Sequence, residues 1–231
     1  MDRMSLFAVL TVSFPEAFLD IYVAFVLMGQ RNKLYLDDKM NIRRLIITVV
    51  LMVAASVTTR AVMPNIMLIF GPIIILYAAI FKFVYRLKWS EAFLVSILIY
   101  GVLITIEAAY LSQYVKFINK MSILWPDDIT RLVMTIPERV IQIIIIVSFW
   151  KWDLAYLNLK SSKKALYTFI LLVVLLLSTE FAFIFAFLYY FDNMSMILKI
   201  ASSAACLVFA VINVLLFKVV TMLSKNGNYK K

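Results

Sequence analysis

Residues 165–190 read ALYTFILLVVLLLSTEFAFIFAFLYY, an apolar run interrupted by a single carboxylic acid, Glu180. About 20 apolar residues are enough for a helix to cross the hydrocarbon core of a bilayer. A membrane strand would be about half as long and would alternate polar with apolar positions, which this run does not do. It therefore reads as a transmembrane helix. Six further stretches read the same way, at 5–28, 45–59, 66–83, 92–112, 132–150 and 197–220. The second is short and ends at Arg60 and Pro64, so it should form a helical hairpin with the third. The fifth carries Pro137, Glu138 and Arg139 in what would be its first turns.

The whole composition agrees with that reading. Hydrophobic residues make up 65% of the 231, and the mean hydropathy is +0.97. The spans use up most of the length, which leaves no room for a large soluble domain. The expected fold is all-α, a polytopic membrane bundle of about seven transmembrane helices. Residues 1–222 would form the bundle and 223–231 a short basic cytoplasmic tail. The first stretch is too long for a cleaved signal peptide and contains Pro15, Glu16 and Asp20. The localisation expected is the cell membrane, as a multi-pass protein.

A net charge of +10 is no sign of nucleic-acid binding here, because the lysines and arginines gather at the membrane ends. With the N-terminus outside and the C-terminus inside, sixteen basic residues fall on the inner side and six on the outer. That split obeys the positive-inside rule, and the opposite orientation would break it. The inner basic residues would also meet anionic lipid. Trp89, Trp150, Trp152, Tyr189 and Tyr190 lie near span ends, where interfacial aromatic residues anchor helices.

Several functions are excluded outright. The chain has no histidine, hence no phospho-accepting histidine, no histidine acid or base and no Cys–His dyad. Its one cysteine, Cys206, can form neither an internal disulfide nor a zinc site. The four glycines, Gly29, Gly71, Gly101 and Gly227, make no phosphate-cradling loop. No carboxylate pair sits in a catalytic motif. The chain reads as no enzyme, and no cofactor or metal is expected.

The charges inside the spans point to a site. Glu16 and Asp20 lie four apart on one face of the first helix, Glu107 deep in the fourth, and Glu180 near the middle of the sixth. Arg60, Arg139 and Lys199 are their possible cationic partners. An ionised side chain at the bilayer centre costs about 2.5–3.5 kcal/mol, so such groups face a cavity, pair with one another or take up protons. Pairing alone would fix helix register without any ligand. As a set, Glu16, Asp20, Arg60, Glu107, Glu138 and Arg139 read as a ligand-binding cluster open to the outer half. The loop at 113–131, with Trp125, Pro126, Asp127 and Asp128, would serve as a lid or way in. Asn213 in the last span reads as helix-packing glue.

Phe14-Pro15-Glu16-Ala17-Phe18, continuing through Ile21-Tyr22-Val23-Ala24-Phe25 to Gly29, resembles the opening helix of a known type of sensor domain. The type belongs to the accessory-gene-regulator histidine kinases of Gram-positive bacteria, which read peptide pheromones. Thr59-Arg60 followed by Met63-Pro64, the Leu87-Lys88-Trp89 connection, Glu107 and Pro137-Glu138-Arg139 extend the likeness over the whole chain. The resemblance implies a quorum-sensing receptor that takes an extracellular peptide or hydrophobic signal. In those kinases a histidine-bearing helix and an ATP-binding domain follow, whereas this sequence stops at Asn228-Tyr229-Lys230-Lys231. The expectation is a sensor without kinase activity of its own, either a stand-alone receptor, an accessory subunit or a truncated kinase. It would signal through a homodimer or a separate histidine kinase. The competing expectation is a small-solute transport component, in which Glu16, Asp20, Glu107 and Glu180 bind a cation or exchange protons.

Overall fold

The computed structural model describes residues 5–62, 70–114, 128–151 and, between 176 and 226, all but 178, 185 and 188. Among these residues every regular element is helical and no strand forms. Four helices are long and apolar enough to cross a membrane: Leu6–Leu27, Lys39–Thr59, Trp89–Tyr114 and Met196–Asn213. A shorter apolar helix spans Gly71–Val84. The molecule is an all-α membrane protein.

The first helix, α1 (Leu6–Leu27), is not uniform. Ser5 caps it by accepting the Ala8 N–H at 3.0 Å. Residues Val9–Ser13 then form a π turn, in which the Phe14 N–H reaches back five residues to the Val9 carbonyl. Pro15 explains the disturbance, because it has no N–H to offer the Thr11 carbonyl one turn earlier. Regular α-helix resumes over Phe14–Leu27. The end is sharp: the Gln30 N–H bonds to the Phe25 carbonyl at 2.9 Å and the Gly29 N–H to the Val26 carbonyl at 3.0 Å. This paired closure needs a left-handed residue, and Gly29 supplies it with φ 67°. Beyond it Lys33 donates to Gln30 Oε1 at 2.7 Å and sits over the Phe25 ring. Burial draws its ammonium below the usual lysine range, with Glu91 opposing that shift and Arg44 reinforcing it.

The remaining helices are α2 (Lys39–Val62), α3 (Phe70–Val84) and α4 (Trp89–Ile106). The last of these runs on through a second π turn, Glu107–Leu111, to Tyr114. They are followed by α5 (Asp128–Lys151), a helical stretch at 179–184 (α6), and α7 (Met196–Asn226). Helix α4 is the hub. It packs on α1, α3, α5 and α7, and 67% of its apolar window is buried, against 33% for α2 and 28% for α7. One apolar core joins α1 to α4, with Phe25, Met52, Phe81 and Ile99 fully enclosed. A smaller core joins α4 to α6 and α7 around Ile104, Ile184, Phe187 and Cys206. Lipid tails are as apolar as these side chains, so close packing and interhelical hydrogen bonds hold such cores together.

Helices α1 and α5 run parallel. Going down both chains, Arg139 meets the Thr11 and Val12 carbonyls, Gln142 meets Asp20, and the Phe149 carbonyl meets Arg31. This last contact, at 2.8 Å, satisfies one of the final carbonyls of α5, which have no partner within the helix.

Several helix bounds differ from the sequence expectation. α2 begins at Lys39 rather than 45, because Lys39, Arg43 and Arg44 supply its first turns and long basic side chains keep their charge in water there. α5 begins at Asp128, so Pro137 falls well inside the helix and does not open it. Proline is tolerated inside membrane helices where neighbours satisfy the freed backbone. α7 continues to Asn226, past the expected tail boundary at 222, while 227–231 lie outside the described residues. Also outside them are the connection at 63–69, most of the 113–131 loop and the first part of the 165–190 stretch.

Candidate functional site

On α1, Glu16 and Asp20 are one turn apart, and Ala17, Asp20 and Ile21 lie on its buried side. On α5, Glu138 and Gln142 are likewise one turn apart, with Arg139 beside them. Where the two faces meet, Gln142 Nε2 donates to Asp20 Oδ1 at 2.9 Å. Both residues are enclosed, Asp20 at 4% exposure and Gln142 at 0%. One turn away, the Arg139 guanidinium donates to the Thr11 carbonyl at 2.8 Å and to the Val12 carbonyl at 3.2 Å. These carbonyls belong to the π turn, and the Thr11 oxygen is the one that Pro15 leaves without a donor. Arginine thus repairs a fault written into the α1 sequence.

Glu138 collects the remaining acids. Glu16, Glu107, Asp20 and Arg139 all act on it electrostatically. Glu107 reaches the cluster from α4, at the first position of the second π turn. Five of the six expected site residues are thus brought together: Glu16, Asp20, Glu107, Glu138 and Arg139. The sixth, Arg60, lies near the end of α2, and its side chain is outside the described residues.

The cluster is incompletely satisfied. Glu138 Oε1, Arg139 Nε and Gln142 Oε1 are buried without a hydrogen-bond partner. A buried polar atom left unpaired costs about 1–3 kcal/mol. Arg139 makes the imbalance worse, since it directs its hydrogen bonds at backbone carbonyls while carboxylates stand beside it. The guanidinium thus bonds the π-turn carbonyls and has the Glu138 carboxylate beside it.

Gln142 was not evident from the sequence. An amide carries no charge and hides within the run Val140-Ile141-Gln142-Ile143-Ile144. Its spacing of four from Glu138 was the available signal.

Glu180 and Lys199 do not join this cluster. Glu180 is fully enclosed on α6 and accepts from Asn213 Nδ2 of α7 at 2.6 Å. Lys199 lies near the start of α7, with Nζ 4.5 Å from the centre of the Phe191 ring. A separate polar link ties α4 to α7, where Ser203 Oγ donates to Gln113 Oε1 at 2.9 Å and Gln113 Nε2 donates back to the Ser203 carbonyl at 3.0 Å. Asn213→Leu should leave Glu180 buried without its donor and cost about 1–2 kcal/mol. Pairing it with Glu180→Leu should recover most of that loss in detergent-driven unfolding. An equal loss in the single and double variants would show that the contact does not hold α6 to α7.

No group of three or more His, Cys, Asp or Glu side chains able to hold a metal ion occurs among the described residues. No known protein family, curated protein or solved structure matches the chain.

Proposed function

We propose that the protein is a multi-pass membrane receptor that binds an extracellular peptide or hydrophobic signal and relays it inward. The observation that carries this reading is the under-satisfied seam between α1 and α5, flanked by two π turns. A receptor needs an element with two arrangements that a ligand binds unequally. Arg139, poised between the π-turn carbonyls and the neighbouring carboxylates, supplies the polar half of such an element. The π turns supply the backbone half, because single π turns inside helices recur at functional sites.

In this reading the chain makes seven passes with the N-terminus outside. The parallel course of α1 and α5 supports an odd number of crossings between them, which α2, α3 and α4 would supply as three if the short α3 is counted. The sixteen-to-six distribution of basic residues then puts Arg31 and Lys151 inside and Arg139 in the outer half. Output would pass through α7 to a second copy or to a separate histidine kinase.

The gathering of Glu16, Asp20, Glu107 and Glu138 favours a second reading, a transport component that takes a cationic solute. Purification of the intact protein from its own membrane in mild detergent, with mass spectrometry of what accompanies it, tests the two. A histidine kinase or a secreted peptide in the eluate is the expected result. A bound cationic metabolite, an ATPase or solute flux in proteoliposomes would replace the receptor reading with transport.

A further inference from the structure

One turn beyond the Asp20–Gln142 contact, an open groove of about 520 Å³ lies between the end of α5 and the 34–36 segment, with Tyr22 of α1 beside it. Leu34, Leu36, Ile146 and Val147 line its apolar part. Tyr35 and Trp150 stand at the rim edge to face, with ring centres 5.9 Å apart. Lys151 completes the lining, and its side chain is exposed. The volume lies within the range of small-ligand sites, about 300–1,000 Å³.

We infer that this groove binds one anionic phospholipid of the inner leaflet, an assignment that rests on the proposed orientation but not on the receptor function. Leu34, Tyr35 and Leu36 form one side of the groove and Ile146, Val147 and Trp150 of α5 the other. An alkyl chain entering sideways from the bilayer meets only apolar walls. Tyr35 and Trp150 suit the depth of the headgroup region, where amphipathic rings collect.

The charge at the mouth selects the headgroup. Among the residues that line the groove, Lys151 is the one that carries a charge. Neither of the two acids that follow Leu36 lines the groove, and Asp38 Oδ1 accepts the Met40 N–H at 2.8 Å at the start of α2. A bound lipid would bear directly on the seam. Ile146 is one turn from Gln142, and Tyr22 is two residues from Asp20.

The test is native mass spectrometry of the full chain, delipidated in a non-ionic detergent and titrated with dioleoyl phosphatidylglycerol or dioleoyl phosphatidylcholine. One phosphatidylglycerol should be retained in preference to phosphatidylcholine. A basic residue near the membrane surface contributes about 1 kcal/mol to anionic-lipid attraction, so K151Q should weaken phosphatidylglycerol retention about fivefold and leave phosphatidylcholine unchanged. V147W, which fills the groove, should lower retention of both lipids, with I146F as the milder alternative if V147W does not fold. Equal retention of the two lipids would overturn the proposal. So would phosphatidylglycerol retention indifferent to both K151Q and groove filling, or a lipid-free dimer that V147W dissociates. None of these results alters the assignment of the signal-binding cluster.

Discussion

Arg139→Leu is expected to destabilise the bundle by about 1.5–3 kcal/mol, the range for losing hydrogen bonds made by a charged group, here a partly buried one. Two losses combine. The carbonyls of Thr11 and Val12 lose their donor in a turn where Pro15 has no N–H to replace it. Glu138 also loses the adjacent cation while Glu16, Glu107 and Asp20 remain close. Arg139→Lys should recover only part of the stability, because an ammonium is a point charge and lacks the planar fork that serves two neighbouring carbonyls. Pro15→Ala with Arg139→Leu should fare better than Arg139→Leu alone, since alanine restores an N–H to α1. Unfolding in mixed micelles, followed by tryptophan fluorescence, measures all three. A loss below about 1 kcal/mol for Arg139→Leu, the scale of an ordinary hydrogen bond, would mean that the π turn does not depend on the arginine.

The sequence made the helices legible because the cost of burying polar groups in lipid leaves long apolar runs as the only solution. It made Glu16 and Asp20 legible as one face, since α-helical spacing is local. The partners were harder to read. Whether Glu180 faces Glu16 or Asn213 depends on which helices become neighbours, and nothing in 165–190 encodes that. Lys199 looked like a counter-ion for the acids, yet it sits against Phe191 at the start of α7. Pro15 announced a fault in α1 but not its resolution. An orphan carbonyl can be met by a kink, a water or a π turn, and here it is met by an arginine 128 positions away. Helix ends were misplaced where the hydropathy of Lys39, Arg43 and Arg44 hid side chains that extend towards water from a continuous helix.

The Asp20–Gln142 pair separates function from architecture. Gln142→Leu leaves a carboxyl enclosed at 4% exposure without the donor now 2.9 Å away, and should cost about 1–3 kcal/mol. Asp20→Leu leaves the Gln142 amide, enclosed at 0% exposure, with both its oxygen and its nitrogen unpaired, and should cost a similar amount. The double variant removes every polar atom from the contact, so it should be at least as stable as the original chain. Buried polar pairs replaced by well-packed apolar residues often gain stability. On the proposed receptor reading the signal response should nevertheless be lost, because an apolar seam has one preferred arrangement and a ligand has nothing left to bias. A double variant that is stable and still responsive would place Asp20 and Gln142 among the packing contacts and move the switch elsewhere. One as unstable as the two single variants combined would show that the residues do not act on each other. Stability restored with response abolished is the outcome that an under-satisfied, two-state seam requires.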